Sequence, residues 1–149
     1  MKIKYPLLLT ALTLSVSPSQ AQELLYLKCD ETRVFTSTLT YDDGEPFTLK
    51  RNAEEAFVLR IDTKNEQMLV NRSEADIVIK NDEAIYSDTL DDGNVKDVKV
   101  IHTKLLPPYS RYGKGKVVFK EPFPQVTDVV IKADCTKIDP AEFDDFLNQ

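Results

Sequence analysis

His102 is the only histidine in the 149-residue sequence and the first candidate for a catalytic general base. General-base catalysis needs a reacting group within hydrogen-bond reach and a further side chain that orients the imidazole. The sequence carries neither a GxSxG nor an HExxH motif that would supply such a constellation. His102 follows Val98 and Val100 in phase, which predicts that its side chain faces the interior. The pattern favours a structural or surface histidine, and we predict that the protein is not an enzyme.

A group of oxygen-bearing side chains surrounds Gly93, and oxygen ligands of this kind bind calcium. Its members are Asp88, Asp91, Asp92 and Asn94. An EF-hand places ligands at the first, third and fifth positions before its glycine, an order that this segment lacks. Asp, Gly and Asn are also the residues that favour tight turns. The sequence therefore favours a solvated hairpin turn, and we expect no metal ion and no cofactor.

One segment departs from the acidic background: Tyr109–Lys120 holds four basic side chains, two tyrosines and no acid. Its two glycines predict a loop over Tyr109–Gly115, followed by a short strand at Lys116–Lys120. Loops on rigid scaffolds often carry function, and Tyr and Arg are frequent contact anchors. We therefore predict a candidate binding loop for an anionic group or a protein partner, formed by Tyr109, Ser110, Arg111, Tyr112, Lys114 and Lys116. The alternative is a flexible, solvated loop that leads into the next strand.

The N-terminal segment Met1–Ala21 has the composition of a secretory signal peptide. Lys2 and Lys4 give it a basic start, Leu7–Val16 forms a mostly apolar core, and cleavage is expected after Ala21. The core is shorter than the roughly 20 residues that span a bilayer, so cleavage is favoured over an uncleaved anchor helix. We expect a periplasmic or secreted protein without a membrane span.

The charge of the chain limits its partners. The sequence has 19 basic and 25 acidic side chains, a net charge of −6. Removal of the leader takes away two lysines and no acid, which leaves 17 basic against 25 acidic side chains and a net charge of −8. Such a surface disfavours nucleic acid and anionic membranes. The partner is left open between a protein and a small molecule, and the oligomeric state is also open.

Cys29 and Cys135 are the only two cysteines. Export to an oxidising compartment favours a disulfide between them, over a redox pair or a metal site, because neither lies in a CxxC motif. The bond would close a loop of about 100 residues and stabilise the fold by roughly 4–5 kcal/mol.

The remaining sequence alternates apolar and polar side chains with the period of two that half-buried strands show. Val126–Cys135 is the clearest example. Turn signals recur about every eight to twelve residues, which is typical of an antiparallel meander. We predict that residues 22–149 form one all-β domain, a small antiparallel meander β-barrel of about eight strands, since closure removes exposed sheet edges.

Several local signals divide the chain further. Asp30–Thr32 is expected to form a turn, Asp42-Asp43-Gly44 a hairpin, and Asn52–Glu55 a helical turn or a loop. At the C-terminus, Asp139 and the following proline have the pattern of a helix start. A short helix is predicted there, with one apolar face formed by Phe143, Phe146 and Leu147.

The layout resembles a group of small uncharacterised bacterial envelope proteins with a β-barrel fold: a leader, a strand ending at Cys29, a meander, and a strand running into Cys135-Thr136-Lys137. In outline it is also similar to the periplasmic inhibitors of c-type lysozyme. That resemblance implies an acidic eight-stranded barrel that binds a basic enzyme through a Ser- and Lys-bearing loop, for which Ser110 and Lys114 are the matching residues.

Two functions follow as expectations. The first is a non-enzymatic binding or interaction protein of the periplasm or exterior, lysozyme-inhibitor-like in outline. The alternative is a calycin-like carrier of a small apolar ligand. A hollow interior would favour the carrier, since eight-stranded barrels are often filled by their own side chains.

Overall fold

The computed structural model describes residues 24–41 and 44–149. The predicted signal peptide at residues 1–21 lies outside the described residues, as do Asp42 and Asp43 of the predicted hairpin.

The described residues form one nine-stranded antiparallel sheet followed by a helix. The sheet order is β4-β3-β2-β1-β9-β8-β7-β6-β5, so nearly every strand pairs with its neighbour in sequence. The elements are β1 Leu24–Leu39, β2 Phe47–Asp62, β3 Gln67–Val70, β4 Ser73–Asp76, β5 Val78–Lys80, β6 Glu83–Asp91, β7 Val95–Lys104, β8 Ser110–Phe119, β9 Gln125–Lys137 and α1 Pro140–Leu147.

The two ends of the sheet are consecutive in the chain, because only Ile77 separates β4 from β5. Its backbone N–H donates to the carbonyl of Glu66, 2.9 Å away, just before β3. The sheet therefore curls into a nearly closed barrel. The predicted all-β meander barrel with a C-terminal helix is confirmed, with nine strands instead of about eight.

The first and last strands meet at the centre of the sheet. Cys29 and Cys135 lie opposite each other in the β1–β9 register, with Cα atoms 4.1 Å apart, and form a disulfide. The predicted pairing is confirmed. It fixes a register that also sets every inward-facing position of the two strands.

Two predicted interruptions of strands are wrong. Asp30–Thr32 lies within β1 and Asn52–Glu55 within β2, and the two strands pair there, with Glu31 opposite Glu55 and Thr32 opposite Glu54. Polar side chains suggested turns, but the ladder satisfies the backbone of both segments. Their inward-facing side chains form ion pairs described below.

Alternate side chains of the strands fill one half of the barrel. We call this the closed half; its core includes Leu27, Leu59 and Phe57, all at most 1% exposed. The other buried members are Leu25, Cys29, Ile61, Met68, Ile77, Ala84, Ala133 and Cys135.

Helix α1 packs on the outer face of β1 and β2 and forms a second, smaller core. Phe143 is buried against Val58 and meets the ring of Tyr26 edge-on, with ring centroids 5.4 Å apart. Asp139 caps the helix, since its carboxylate accepts the N–H of Glu142 at 2.8 Å. The predicted helix, its cap and its apolar face are confirmed.

Among residues 24–41 and 44–149, no helix has the length and apolar character needed to cross a membrane.

Candidate functional site

The barrel wall is incomplete at one end. The short strands β3, β4 and β5 reach only Leu59–Asp62 of β2 and Glu83–Ile85 of β6. Beyond them, Phe47–Ala56 of β2 and Tyr86–Asp91 of β6 have a strand neighbour on one side only. We call this end the open half. The two unpaired edges frame a lateral opening into the barrel.

A cavity of about 410 Å³ lies where the closed half meets the open half. Pockets for small molecules measure roughly 300–1,000 Å³, so this cavity is at the small end of that range. Much of its lining is apolar and comes from inward-facing positions of five strands: Phe35, Met68, Val70, Ile101, Val117, Val129 and Ile131.

Two glycines lie on β8 near this cavity. Both face inward, opposite Ile131 and Val129 of β9. A Cβ at Gly113 would lie 2.6 Å from the carbonyl oxygen of Val100, so only glycine fits there. A Cβ at Gly115 would be 3.5 Å or more from its neighbours, which is ordinary contact, and this residue lines the cavity. The strand thus presents bare backbone to the interior.

Charged side chains lie at the end of the cavity next to the closed half, where Arg33 and Arg111 line it. Glu31 is buried, with its side chain 1% exposed, and each of its carboxylate oxygens accepts from a different arginine. The Nε of Arg33 donates at 2.5 Å and the Nη1 of Arg111 at 3.2 Å. Arg33 also pairs with the half-exposed Glu55 at 3.1 Å. We call these four residues the charged floor.

Arg111 is the buried cation of the charged floor. It is 6% exposed, and its guanidinium lies over the ring of Phe57 at 5.0 Å. Its Nε has no hydrogen-bond partner among the described residues. Burial lowers the pKa of Arg111, with the carboxylate of Glu31 acting in the opposite direction. Arg111 is therefore a desolvated cation with one donor unused.

A second ion pair lies on the cavity wall. The Nζ of Lys99 is 3.2 Å from Asp88, and the hydroxyl of Tyr86 donates to the same carboxylate at 3.1 Å. Burial acts to lower the pKa of Lys99, but the hydrogen bond to Asp88 and neighbouring negative charge raise it overall. The charge of Lys99 is thus balanced within the protein.

The predicted binding loop is a strand, so its secondary structure was wrong. Ser110–Phe119 is β8, paired on both sides, and its residues alternate between the two faces. Arg111 points inward, whereas Tyr112, Lys114 and Lys116 are exposed on the outside. Tyr109 packs against the core, and its carbonyl accepts the N–H of Cys135 at 3.2 Å. Ser110 is half-buried within β8.

His102 faces outward, contrary to the prediction, because the buried Ile101 and Thr103 on either side of it take the inward positions. Its ring stacks on Tyr112, with centroids 4.9 Å apart. Its Nδ1 is 3.0 Å from Glu83, which also accepts from the hydroxyl of Tyr112 at 2.9 Å. The cluster lies on the outer surface and away from the cavity.

This cluster predicts a loss of stability in acid. Hydrogen bonds from His102 and Tyr112 lower the pKa of Glu83 below its ordinary 4.5. A lowered folded-state pKa gives stability above the ordinary value, which is lost as the pH falls through the folded value. We expect the free energy of unfolding in urea to decrease below pH 4.5, and to decrease less steeply in Glu83→Gln.

The exposed Glu45→Gln variant is the control and should keep the slope of the wild type. Equal slopes in Glu83→Gln and the wild type would contradict a role of this carboxylate.

The acidic group around Gly93 is the predicted hairpin turn. The carboxylate of Asp92 accepts the N–H groups of Asn94 at 3.0 Å and Val95 at 2.7 Å, and Gly93 has φ of 91°. These backbone bonds lower the pKa of Asp92. Within residues 24–41 and 44–149, no group of His, Cys, Asp or Glu side chains is arranged to hold a metal ion.

Most residues of the cavity lining were not predicted from the sequence. Glu31, Arg33 and Phe35 follow Cys29 in phase on β1, so continued alternation past the cysteine was the available signal. Of the six predicted loop residues, only Arg111 lines the cavity.

Comparisons with protein-family models, with curated proteins and with solved structures found no match to this chain.

Proposed function

We propose that the chain is a non-enzymatic binding protein that holds a small, largely apolar ligand inside its barrel. The observation that carries the proposal is the cavity of about 410 Å³, which has an apolar wall and a lateral opening. Apolar surface left in contact with water costs roughly 25 cal/mol per Å², and a ligand that covers it recovers that free energy.

The division of the barrel supports this function. The closed half is filled by side chains such as Leu27 and Leu59, both fully buried. The open half keeps apolar positions such as Val117 and Val129 only partly covered. A rigid frame beside an unfilled apolar space is the usual arrangement of a small-molecule site.

We propose a periplasmic or secreted location for this binding protein. The Cys29–Cys135 disulfide is compatible with an oxidising compartment outside the cytoplasm. The signal-peptide pattern of residues 1–21 supports the same location. Cell fractionation tests it: the processed chain is expected in the periplasm or the medium.

Gly115→Leu tests the proposed site. N-phenylnaphthylamine, a neutral apolar fluorophore, is expected to bind the wild type and to gain fluorescence. The new side chain would occupy the cavity, and we expect the affinity to fall by about tenfold or more, since one excluded side chain is worth more than about 1.4 kcal/mol. Fluorescence titration measures the dissociation constants.

Lys116→Leu is the matched control, because it adds the same side chain to the next residue of β8, on the outer face. It breaks only an exposed ion pair with Asp128 and should leave the affinity unchanged. Absence of binding by the wild type, or equal affinity in Gly115→Leu, would defeat the proposal. Mass spectrometry of the purified protein provides a second measurement, in which a co-purified ligand is expected.

A second candidate function, binding of a protein partner, is supported by the exposed row of Tyr112, Lys114 and Lys116 on β8. Tyrosine beside basic side chains is a common contact surface. A lysozyme inhibition assay and a periplasmic pull-down test it, with Tyr112→Ala/Lys114→Ala as the variant expected to lose the partner. An unchanged captured partner would remove this surface from consideration.

A further inference from the structure

The charged floor specifies the ligand further. Resting on the proposed function, we infer that the cavity takes amphipathic anions: molecules with an anionic oxygen-bearing head that meets Arg111 at the deep end, and an apolar chain that extends toward the opening.

The first observation is the unused donor of Arg111. The residue lines the cavity, more than nine-tenths of its surface is buried, and its Nε has no acceptor among the described residues. A buried donor without a partner is unfavourable, and native proteins rarely leave one. The Nε itself has almost no accessible surface, so a ligand anion would pair with the Arg111 guanidinium as a cation and not with this atom.

The second observation is the distribution of acceptors on the charged floor. Glu31 is shared, because one carboxylate oxygen serves Arg33 and the other serves Arg111. A guanidinium carries five N–H donors, so two guanidinium groups offer more donors than one buried carboxylate can accept. Arg33 also pairs with a second carboxylate, that of Glu55. Within the described residues, Arg111 forms an ion pair with Glu31 alone. Arg111 therefore keeps N–H donors for a second oxygen acceptor beside Glu31.

The third observation is the direction in which polarity changes along the strands. Arg111 lies opposite Ala133, and the inward-facing residues that follow on β8 toward the open half are Gly113, Gly115 and Val117. The corresponding positions on β9 are Ile131 and Val129. The cation therefore lies deep, and an apolar channel leads away from it. This order fits an anionic head bound inward and a chain bound outward.

The two carboxylates that line the cavity, those of Asp97 and Glu74, lie away from Arg111. Asp97 faces inward opposite Val117, nearer the open half than Arg111, and Glu74 is exposed. Lys99 is paired with Asp88 on the wall. A cationic head would therefore be attracted to Asp97 and Glu74, and an anionic head to the buried Arg111.

Head-group preference tests the inference. Isothermal titration of the full protein would compare decanoate, decyl phosphate, decanol and decyltrimethylammonium, which share one chain. We expect at least one of the anions to bind about tenfold or more tightly than decanol, as a charge-assisted pair in a buried site does. The tighter anion identifies the head as carboxylate or phosphate.

Variants locate the head. Arg111→Gln is expected to abolish the preference for the anion over decanol, whereas Lys132→Gln, an outward-facing change on β9, should keep it. If Arg111→Gln fails to fold by circular dichroism, the charge-balanced Glu31→Gln/Arg111→Gln variant replaces it. A preference that survives the loss of Arg111 overturns the assignment.

The outcomes separate this inference from the proposed function. Equal binding of decanoate and decanol, or tighter binding of the cation, overturns the anionic head and leaves an apolar carrier standing. Absence of binding by all four compounds and by N-phenylnaphthylamine defeats both.

Discussion

Replacing both Cys29 and Cys135 by alanine is expected to lower the free energy of unfolding by about 4–5 kcal/mol. The disulfide joins residues 106 positions apart, so its loss frees nearly the whole described chain in the unfolded state. Both cysteines are also buried, at 0% and 8% exposure, and their removal leaves space in the core of the closed half. Urea unfolding of the double variant and the wild type measures the difference.

The wild type in reducing buffer is the control, because it loses the cross-link and keeps both side chains. Its loss of stability should be nearly as large as that of the double variant. A loss below about 1 kcal/mol in either would mean that the unfolded chain is already restrained without the bond.

The disulfide also positions the site. Glu31 follows Cys29 by two residues on β1, and Ala133 precedes Cys135 by two on β9, so the cross-link lies next to the charged floor. Arg111 is opposite Ala133 on the next strand. The bond therefore joins β1, which carries Glu31 and Arg33, to β9, which pairs with the strand that carries Arg111. A stable frame of this kind keeps buried charges at hydrogen-bonding distance before any ligand arrives.

Local signals in the sequence were sufficient for much of the frame. The alternation of Val126–Cys135, the turn around Gly93 and the capped helix at Asp139 each depend on residues close together in the chain. The disulfide pairing could be predicted without knowledge of the fold, because only two cysteines are present. Features determined by adjacent residues or by counting are those that a sequence predicts well.

Local signals gave a wrong prediction for strand β8. Gly113 and Gly115 indicated a loop, since glycine weakens strands. Gly113 is instead required by a neighbouring strand, where the carbonyl of Val100 leaves no space for a side chain. That contact depends on the β7–β8 register, which a single sequence does not specify. The inward direction of Arg111 was not predicted for the same reason.

The ion pairs of the charged floor could not be predicted from residues that are close together in the sequence. Glu31 and Arg111 are 80 residues apart, and the β1–β9 and β9–β8 registers together bring them within hydrogen-bond distance. Taken alone, Asp30–Thr32 is a polar run that indicates a turn. Only the partners of a buried carboxylate distinguish an ion-paired strand position from a solvated turn.

Glu31→Gln is expected to destabilise the protein by about 3–5 kcal/mol, because it leaves the buried Arg111 without its carboxylate. Arg33 also loses its 2.5 Å partner, but Arg33 is partly exposed and keeps Glu55. The cost therefore arises mainly from the uncompensated charge of Arg111. Urea unfolding at neutral pH measures the change relative to the wild type.

Two variants separate charge pairing from packing at the same place. Glu55→Gln removes a half-exposed carboxylate from the charged floor and should cost less than about 1 kcal/mol. Glu31→Met/Arg111→Met removes the buried pair together, and should be more stable than Glu31→Gln, since no unpaired charge remains. If Glu31→Gln lowers the free energy of unfolding as little as Glu55→Gln does, the charge of Arg111 must be solvated by water. The deep end of the cavity is then solvated, and an anionic head would gain little there over bulk water.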